Sequence, residues 1–378
     1  MPEKSAQIRL VIATGIYPPD IGGPATYSKL LHDELPNRGF TVRVVSYGAV
    51  RHLPRGISHI AYLFLLAIKS FRSDLIYAQD LVSTGLSVLL VSKLFKKPFL
   101  LKIVGDYAWE QGTVRFGVTD SLDVFSNVDH GYPFFVRVLK YIQKQVALNA
   151  DAIIVPSKYL KRIVGNWGIP KERITVVYNS FEVPQNIAKK EVLRELMGLR
   201  GNILISIGRL VPWKGFRMLI EIMSDIIKQF PETRLFIVGS GIEGTGLEAL
   251  IEERELGGHV VLTGQLDHET LLRYLSASDV FVLNTFYEGF SHQILEAMAL
   301  SVPIVTTPVG GNAEVIDHKK TGLLAPYNDR KEFTKNILTL LGDPRLAETL
   351  ARNARTKVKQ FGKDAMLNIL VEILKTKY

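Results

Sequence analysis

Val280-Phe-Val-Leu283, Glu288-Gly-Phe-Ser-His-Gln-Ile-Leu-Glu296 and Ala297-Met-Ala-Leu-Ser-Val-Pro-Ile-Val305 make up the stretch on which the reading of this chain turns. The first piece is a short apolar run of strand character. The second begins on a loop and enters a helix, with Ser291 suited to cap it. The third completes that helix and opens the next strand. Two carboxylates, Glu288 and Glu296, therefore flank the helix start eight positions apart. A strand, a helix and a second strand in close succession is the repeating unit of a parallel sheet.

Working outward, similar apolar runs recur at 7–14, 41–46, 74–79, 98–104, 151–155 and 174–178, and again at 202–207, 234–238, 259–262, 280–283 and 302–306. Amphipathic segments at 25–35, 134–149, 216–229 and 269–277 separate many of them. The pattern predicts an α/β chain with mostly parallel sheets covered by helices on both faces. It restarts once, after the polar stretch that follows Ser180. We therefore expect a doubly wound, Rossmann-like domain at 1–180, a linker at 181–200 and a second such domain at 201–363. The amphipathic segment at 364–378 is expected to be a helix that packs back on either domain, the first being one candidate.

The chain has 378 residues, of which 47% are apolar, enough for two packed cores. It has no cysteine, which excludes disulfides and thiolate metal sites and fits a reducing cytoplasm. No signal-peptide pattern opens it, and apolar runs such as 60–68 are far shorter than a spanning helix needs. A cytoplasmic protein, soluble or peripheral on the inner face of the membrane, is expected. Charge is uneven. Residues 1–180 carry 22 Lys and Arg against 13 Asp and Glu, whereas 181–378 carry 24 of each. The whole net charge of +9 belongs to the first half, which suggests an anionic partner there.

Three strand-to-helix turns suit phosphate. The first, 15–24, has Gly22 and Gly23 ahead of Pro24, a helix start that presents backbone N–H groups. The second, 208–215, is not a Walker sequence, but it puts Arg209 and Lys214 at one strand end, a planar fork and a point charge that suit a leaving diphosphate. The third contains Gly239 and Gly241 in a G-x-G-x-x-G pattern. The strand after it ends Leu262-Thr-Gly-Gln265 without an acid, so it is read as a loop near the ligand and not as a nicotinamide site. Each turn taken alone is also compatible with an ordinary surface loop.

A helical Glu296 offers two oxygens to neighbouring hydroxyls, as a ribose presents them, and Glu288 on the loop would lie nearer a sugar. Taken together, these residues resemble the retaining glycosyltransferases of family 4, also called group 1, which have the GT-B fold. The similarity runs through Gly22-Gly23, Val177-Tyr-Asn-Ser180, Gly208-Arg209 with Lys214, Gly239-Ser-Gly241, Thr263-Gly264 and Ser278-Asp279. It continues through Glu288-Gly-Phe, Glu296-Ala-Met-Ala, Pro303-Ile-Val305, Gly310-Gly-Asn-Ala-Glu314 and Thr321-Gly-Leu-Leu324.

The resemblance implies a nucleotide diphosphate sugar as donor. Arg209 and Lys214 would hold its diphosphate, Glu296 its ribose, and Glu288 would approach the sugar. The backbone of Phe290, Ser291 and His292 would meet sugar hydroxyls and phosphate. It implies transfer of a hexose-type sugar with retention, the leaving phosphate taking the acceptor's proton. No D-x-D triplet occurs and the eight histidines lack ligand-like spacing, so no metal and no cofactor are expected. Many family members have a histidine after the fourth strand; here that stretch holds Asp106, which either assumes part of that role, serves the acceptor, or is a structural turn residue.

In this fold the first domain normally binds the acceptor, here a glycan or a lipid-linked molecule of surface polysaccharide or glycolipid synthesis. Arg137, Lys140 and Lys144 fall on one face of the helix at 134–149, and the apolar helix at 59–72 has basic flanks. Both suit an anionic membrane surface. A nucleic-acid partner is not expected, because no recognition motif accompanies the charge. A GT-B-related epimerase or phosphorylase, or a non-catalytic sugar-nucleotide binding protein, stays open as an alternative.

Overall fold

A computed structural model describes residues 7–20, 22–54, 56–181 and 187–377. The chain divides into two compact units, one running to Tyr178 and resuming at Met366, the other Asn179–Ala365. Each is built on one six-stranded sheet in which every paired strand is parallel. This is the doubly wound pair of Rossmann-like units expected from the strand and helix pattern.

In the first unit the strands are β1 Ile8–Thr14, β2 Phe40–Ser46, β3 Leu75–Ala78, β4 Phe99–Lys102, β5 Ala152–Val155 and β6 Ile174–Val176. Their order is β2-β1-β3-β4-β5-β6. The helices are α1 Gly23–Glu34, α2 Ile57–Ser70, α3 Gly85–Phe95, α4 Tyr107–Arg115, α5 Leu122–Asn127, α6 Phe134–Asn149 and α7 Lys158–Asn166. All four residues of β3, β4 and β5 are buried, and apart from Lys102 at the end of β4 these strands read as continuous apolar runs.

The second unit has β7 Ile203–Ile207, β8 Arg234–Val238, β9 Val260–Gly264, β10 Val280–Leu283, β11 Ile304–Thr306 and β12 Leu323–Leu324. Their order is β12-β11-β10-β7-β8-β9. Its helices are α8 Lys190–Leu196, α9 Phe216–Gln229, α10 Gly244–Glu253, α11 His268–Ala277, α12 His292–Ala299, α13 Asn312–Val315, α14 Arg330–Gly342 and α15 Pro344–Lys357. A last helix, α16 Lys363–Thr376, follows. Its Met366, Leu367, Leu370 and Leu374 share one core with Leu10, Ile12, Leu31 and Phe40 of the first unit. Three buried leucines at about 2 kcal/mol each are ample reason for the chain to return there.

The linker expected at 181–200 is shorter than the polar composition suggested, and residues 182–186 lie outside the described residues. Lys190–Leu196 is a helix of the second unit. Lys190 donates to Asp279 at 2.7 Å, Arg194 also pairs with that carboxylate, and the Ile203 N–H reaches it at 2.7 Å. Asp279 thus ties α8 to the start of β7, and the stretch is polar because its charges meet one acid distant in sequence.

Candidate active site

The order of the second sheet reverses at β7, which has β8 on one side and β10 on the other. Such a reversal, at the carboxyl ends of β7 and β10, is where open parallel sheets bind ligands. The loop 208–215 brings Arg209 and Lys214, and the loop 284–291 brings Glu288 and the start of α12.

Two buried residues that carry no motif signal fasten these loops together. Asn284 Nδ2 donates to the Gly215 carbonyl at 3.0 Å, and Thr285 Oγ1 donates to that of Trp213 at 3.1 Å. The Phe286 N–H adds a bond to the Trp213 carbonyl at 2.7 Å. Lys214 Nζ consequently meets Glu288 Oε2 at 2.5 Å, with the two side chains only 10% and 16% exposed. The exposed Arg209 guanidinium stands 5.7 Å from the centre of the buried Trp213 ring. The other side of Glu288 is fixed by Gly310 and Gly311. The Gly311 N–H donates to the Glu288 carbonyl at 3.0 Å. Gly310 has φ 55°, and a Cβ there would lie 1.9 Å from the same oxygen, so only glycine fits.

Ser291 caps α12, its hydroxyl accepting from the Ile294 N–H at 3.3 Å. Glu296 follows within that helix and is 7% exposed. Its Oε1 pairs with His268 Nε2 at 3.1 Å, while its Oε2 is buried with no hydrogen-bond partner among the described residues. A buried carboxylate oxygen left without a donor is costly, and it is the kind of group a ligand hydroxyl satisfies. His268 has its pKa raised, first by that hydrogen bond to Glu296 and against the opposing effect of burial. Nothing in the sequence singled it out, because the pair is 28 positions apart.

Phe290 packs its ring on Phe361, centroids 5.5 Å apart, and its carbonyl accepts from Asn179 Nδ2 at 3.3 Å. Its side chain is core, and it bounds the loop from beneath. His292 opens α12 beside it, half-buried. Gly239 and Gly241 serve the site at one remove. A Cβ on Gly239 would stand 1.9 Å from the Gly208 carbonyl oxygen, and one on Gly241 would stand 2.3 Å from that of Leu210. Their smallness lets the loop after β8 lie against the backbone that carries Arg209.

The remaining expected residues belong to the first unit. Gly22 precedes α1 and Gly23 begins it, and the Gly22 carbonyl accepts from the Ala25 and Thr26 N–H groups. Asp106 is fully buried and caps α4, its Oδ1 accepting from the Trp109 N–H and from Gln143 Nε2, each at 2.9 Å. Burial pushes its pKa up to about 6. Of the roles open to Asp106, this placement supports the structural one.

The basic face expected on α6 needs correction. Arg137 is exposed and Lys144 half-buried, but Lys140 is buried. Its ammonium donates to the Phe125 carbonyl at 2.7 Å and also to that of Val128, and lies 3.4 Å from Asp129. The Phe125 ring centre is 4.3 Å away. Lys140 therefore braces the segment before α6, and burial lowers its pKa. Among the described residues no group of three His, Asp or Glu is placed to hold a metal ion. No described helix is long and apolar enough to cross a membrane.

Comparison with known proteins shows the family and the fold. Residues 7–180 match the family model described as glycosyl transferase 4-like domain, and residues 193–357 match glycosyl transferases group 1. An uncharacterised glycosyltransferase of Methanocaldococcus jannaschii is 26% identical over 374 residues, 94% of each chain. A Staphylococcus aureus capsular polysaccharide biosynthesis glycosyltransferase is 27% identical over 314 residues, 76% of this chain and 78% of that one. The Anabaena protein HepE, crystallised with UDP-glucose, superposes with a TM-score of 0.77 at 18% identity, covering 98% of this chain and all of that one.

Proposed function

The chain belongs to the group 1 glycosyltransferases of GT-B fold, and from that premise we propose that its second unit binds a nucleotide diphosphate sugar and transfers a hexose-type sugar with retention of configuration. The observation that carries this reading is the meeting of Lys214 and Glu288, 2.5 Å apart, at the reversal of the second sheet. A cation and a carboxylate held together there can divide one donor between them, Lys214 with Arg209 on the diphosphate and Glu288 beside the sugar. Glu296 takes the ribose, offering the oxygen that has no hydrogen-bond partner among the described residues. Ser291 and His292 present the start of α12 to the donor, where helix N–H groups favour an anion.

As the glycosidic bond breaks, negative charge gathers on the departing β-phosphate. Arg209 and Lys214 stabilise it in a site where fixed charges need no reorganisation. The same phosphate oxygen accepts the proton of the acceptor hydroxyl, which attacks the anomeric carbon from the face the phosphate leaves. Glu288 stabilises positive charge on that carbon. These protein cations take the part that a metal ion plays at other diphosphate sites, so the reaction is proposed to proceed without one.

The acceptor is proposed to be a glycan or a lipid-linked molecule, held by the first unit, in the synthesis of surface polysaccharide or glycolipid. The capsular polysaccharide relative supports this class. Work at the inner face of the membrane, where lipid-linked acceptors lie, is part of the same reading. A panel of uridine, guanosine, adenosine and thymidine diphosphate sugars tests the donor assignment by thermal shift. At least one should raise the melting temperature of wild type and fail to do so with Glu296→Ala. Equal shifts for both proteins would remove the assignment.

A further inference from the structure

We propose that α2 and α3 form the face by which this protein docks on an anionic lipid bilayer, with their apolar side chains entering the interface. This deepens the membrane part of the reading above and rests on it. Helix α2 hides its small polar residues and shows its apolar ones. Its buried face is Ser58, Tyr62, Leu66 and Ser70. The Tyr62 hydroxyl donates to the Val45 carbonyl at 3.2 Å, and Ser58 and Tyr47 share a hydrogen bond of 2.8 Å. Its opposite face carries Ile57, Ile60, Phe64, Ile68 and Phe71, each more than half exposed and spaced as one helical stripe. Helix α3 packs beside α2 and adds Leu86, Leu90 and Leu94, four residues apart, of which Leu94 is 69% exposed. Phe71 and Phe95 join the two helices, their rings edge to face with centroids 5.6 Å apart. So large a group of exposed apolar side chains on adjoining helices marks a surface that something covers.

Charge selects the occupant. Residues 35–73 contain six Lys and Arg and no carboxylate, and residues 81–105 contain four and none. Lys69 and Arg72 stand exposed at the end of α2, and Lys93 and Lys96 at the end of α3. Long cationic side chains around an apolar stripe suit a layer that is apolar within and anionic at its surface. The start of α6 also exposes aromatic rings, Phe134 and Phe135, but the preceding residues 106–129 hold five carboxylates and a single Arg. An uninterrupted cationic surround for an anionic headgroup layer is therefore found at α2 and α3.

Flotation of the full chain with vesicles of phosphatidylcholine, alone or mixed with phosphatidylglycerol, tests the proposal. Wild type should float with the mixed vesicles and far less with the neutral ones. The triple variant Phe64→Ser, Ile68→Ser, Leu94→Ser should lose about tenfold or more in partition, because binding scales with buried apolar area. Arg137→Gln with Lys144→Gln should bind as wild type does. Should the serine variant lose stability, Phe64→Trp gives a second readout: the emission of the introduced indole should shift to the blue and be quenched by brominated lipid. Wild type that binds no vesicle would sink both the membrane reading and this face. Wild type that binds, with an unaffected serine variant or an unquenched indole in Phe64→Trp, would overturn this face alone. A dimer that the serine substitutions dissociate, with no flotation, would assign the face to a second copy and overturn the proposal. Donor-induced thermal shifts, measured on the same samples, report on the transferase reading separately.

Discussion

In both sheets the strand order reverses once, beside β1 in the first unit and beside β7 in the second, yet the loops that leave the two reversals differ in chemistry. In the first unit several charged groups serve their own neighbourhood. Asp80, after β3, accepts from the N–H groups of Val82 and Ser83 at 2.7 Å, Asp106 caps its own helix, and Lys140 closes over nearby carbonyls. In the second unit they face one another across loops, Lys214 with Glu288 and His268 with Glu296. Shared topology supplies a crevice in each case. The second sets buried opposed charges there, Lys214 with Glu288, that a ligand can take over, whereas the first pairs the exposed Arg51 with Asp20 at 2.7 Å and turns apolar side chains and cations outward on α2 and α3.

The comparison breaks if these groups can be removed without consequence. Glu288→Ala should cut transfer by about 10²–10³, the usual cost of losing one stabiliser of transition-state charge, while donor binding persists. Steady-state kinetics alongside calorimetric titration would separate the two effects. Arg209→Ala should weaken binding and transfer together, since it meets the diphosphate in both ground and transition states. On the structural side, Leu370→Ala should cost about 2–5 kcal/mol through a cavity where α16 meets the first core, read as a lower denaturation midpoint.

Asp106 sharpens the contrast between the units. Asp106→Ala should cost about 1 kcal/mol for the lost cap, whereas Asp106→Asn keeps an oxygen for the Trp109 N–H and should leave turnover unchanged. Its pKa, raised to about 6 by burial, means the folded state holds a proton that the unfolded state has lost between pH 3.8 and 6. The group's contribution to stability therefore falls as pH rises through that window, and the asparagine variant should flatten the dependence. A similarly strong loss of turnover in Asp106→Asn would return the residue to the catalytic set. The smallest effect is expected at His268. Its raised pKa means the pair with Glu296 is at full strength below pH 6.5 and is lost as pH rises through the folded value. His268→Gln should remove that slope from a series of melting curves.

Much of this was legible in the sequence because periodicity is a local property. The expected helices at 134–149 and 216–229 end where α6 and α9 end, and strands buried on both faces gave apolar runs that could not be missed. What stayed hidden depends on partners distant along the chain. Helix α8 looked like linker because its Lys190 and Arg194 are matched by Asp279, 89 and 85 positions away. Lys140 looked like a surface cation, since a helical wheel does not show the carbonyls of Phe125 and Val128 closing on its ammonium. Asn284 and Thr285 carry no motif, yet their bonds to the Gly215 and Trp213 carbonyls set the distance between Lys214 and Glu288. Arg209, Lys214, Glu288 and Glu296 were found from residue type and loop position. Their mutual geometry, and the open oxygen of Glu296, required the fold.

The most direct measurement is calorimetric titration with the donor that the thermal-shift panel selects, comparing wild type, Lys214→Ala and Glu296→Ala. The structure predicts tight binding by wild type and a loss of about tenfold or more in each variant, the range for charged hydrogen bonds to a ligand. Undiminished binding by both variants would contradict the placement of the donor at the reversal of the second sheet.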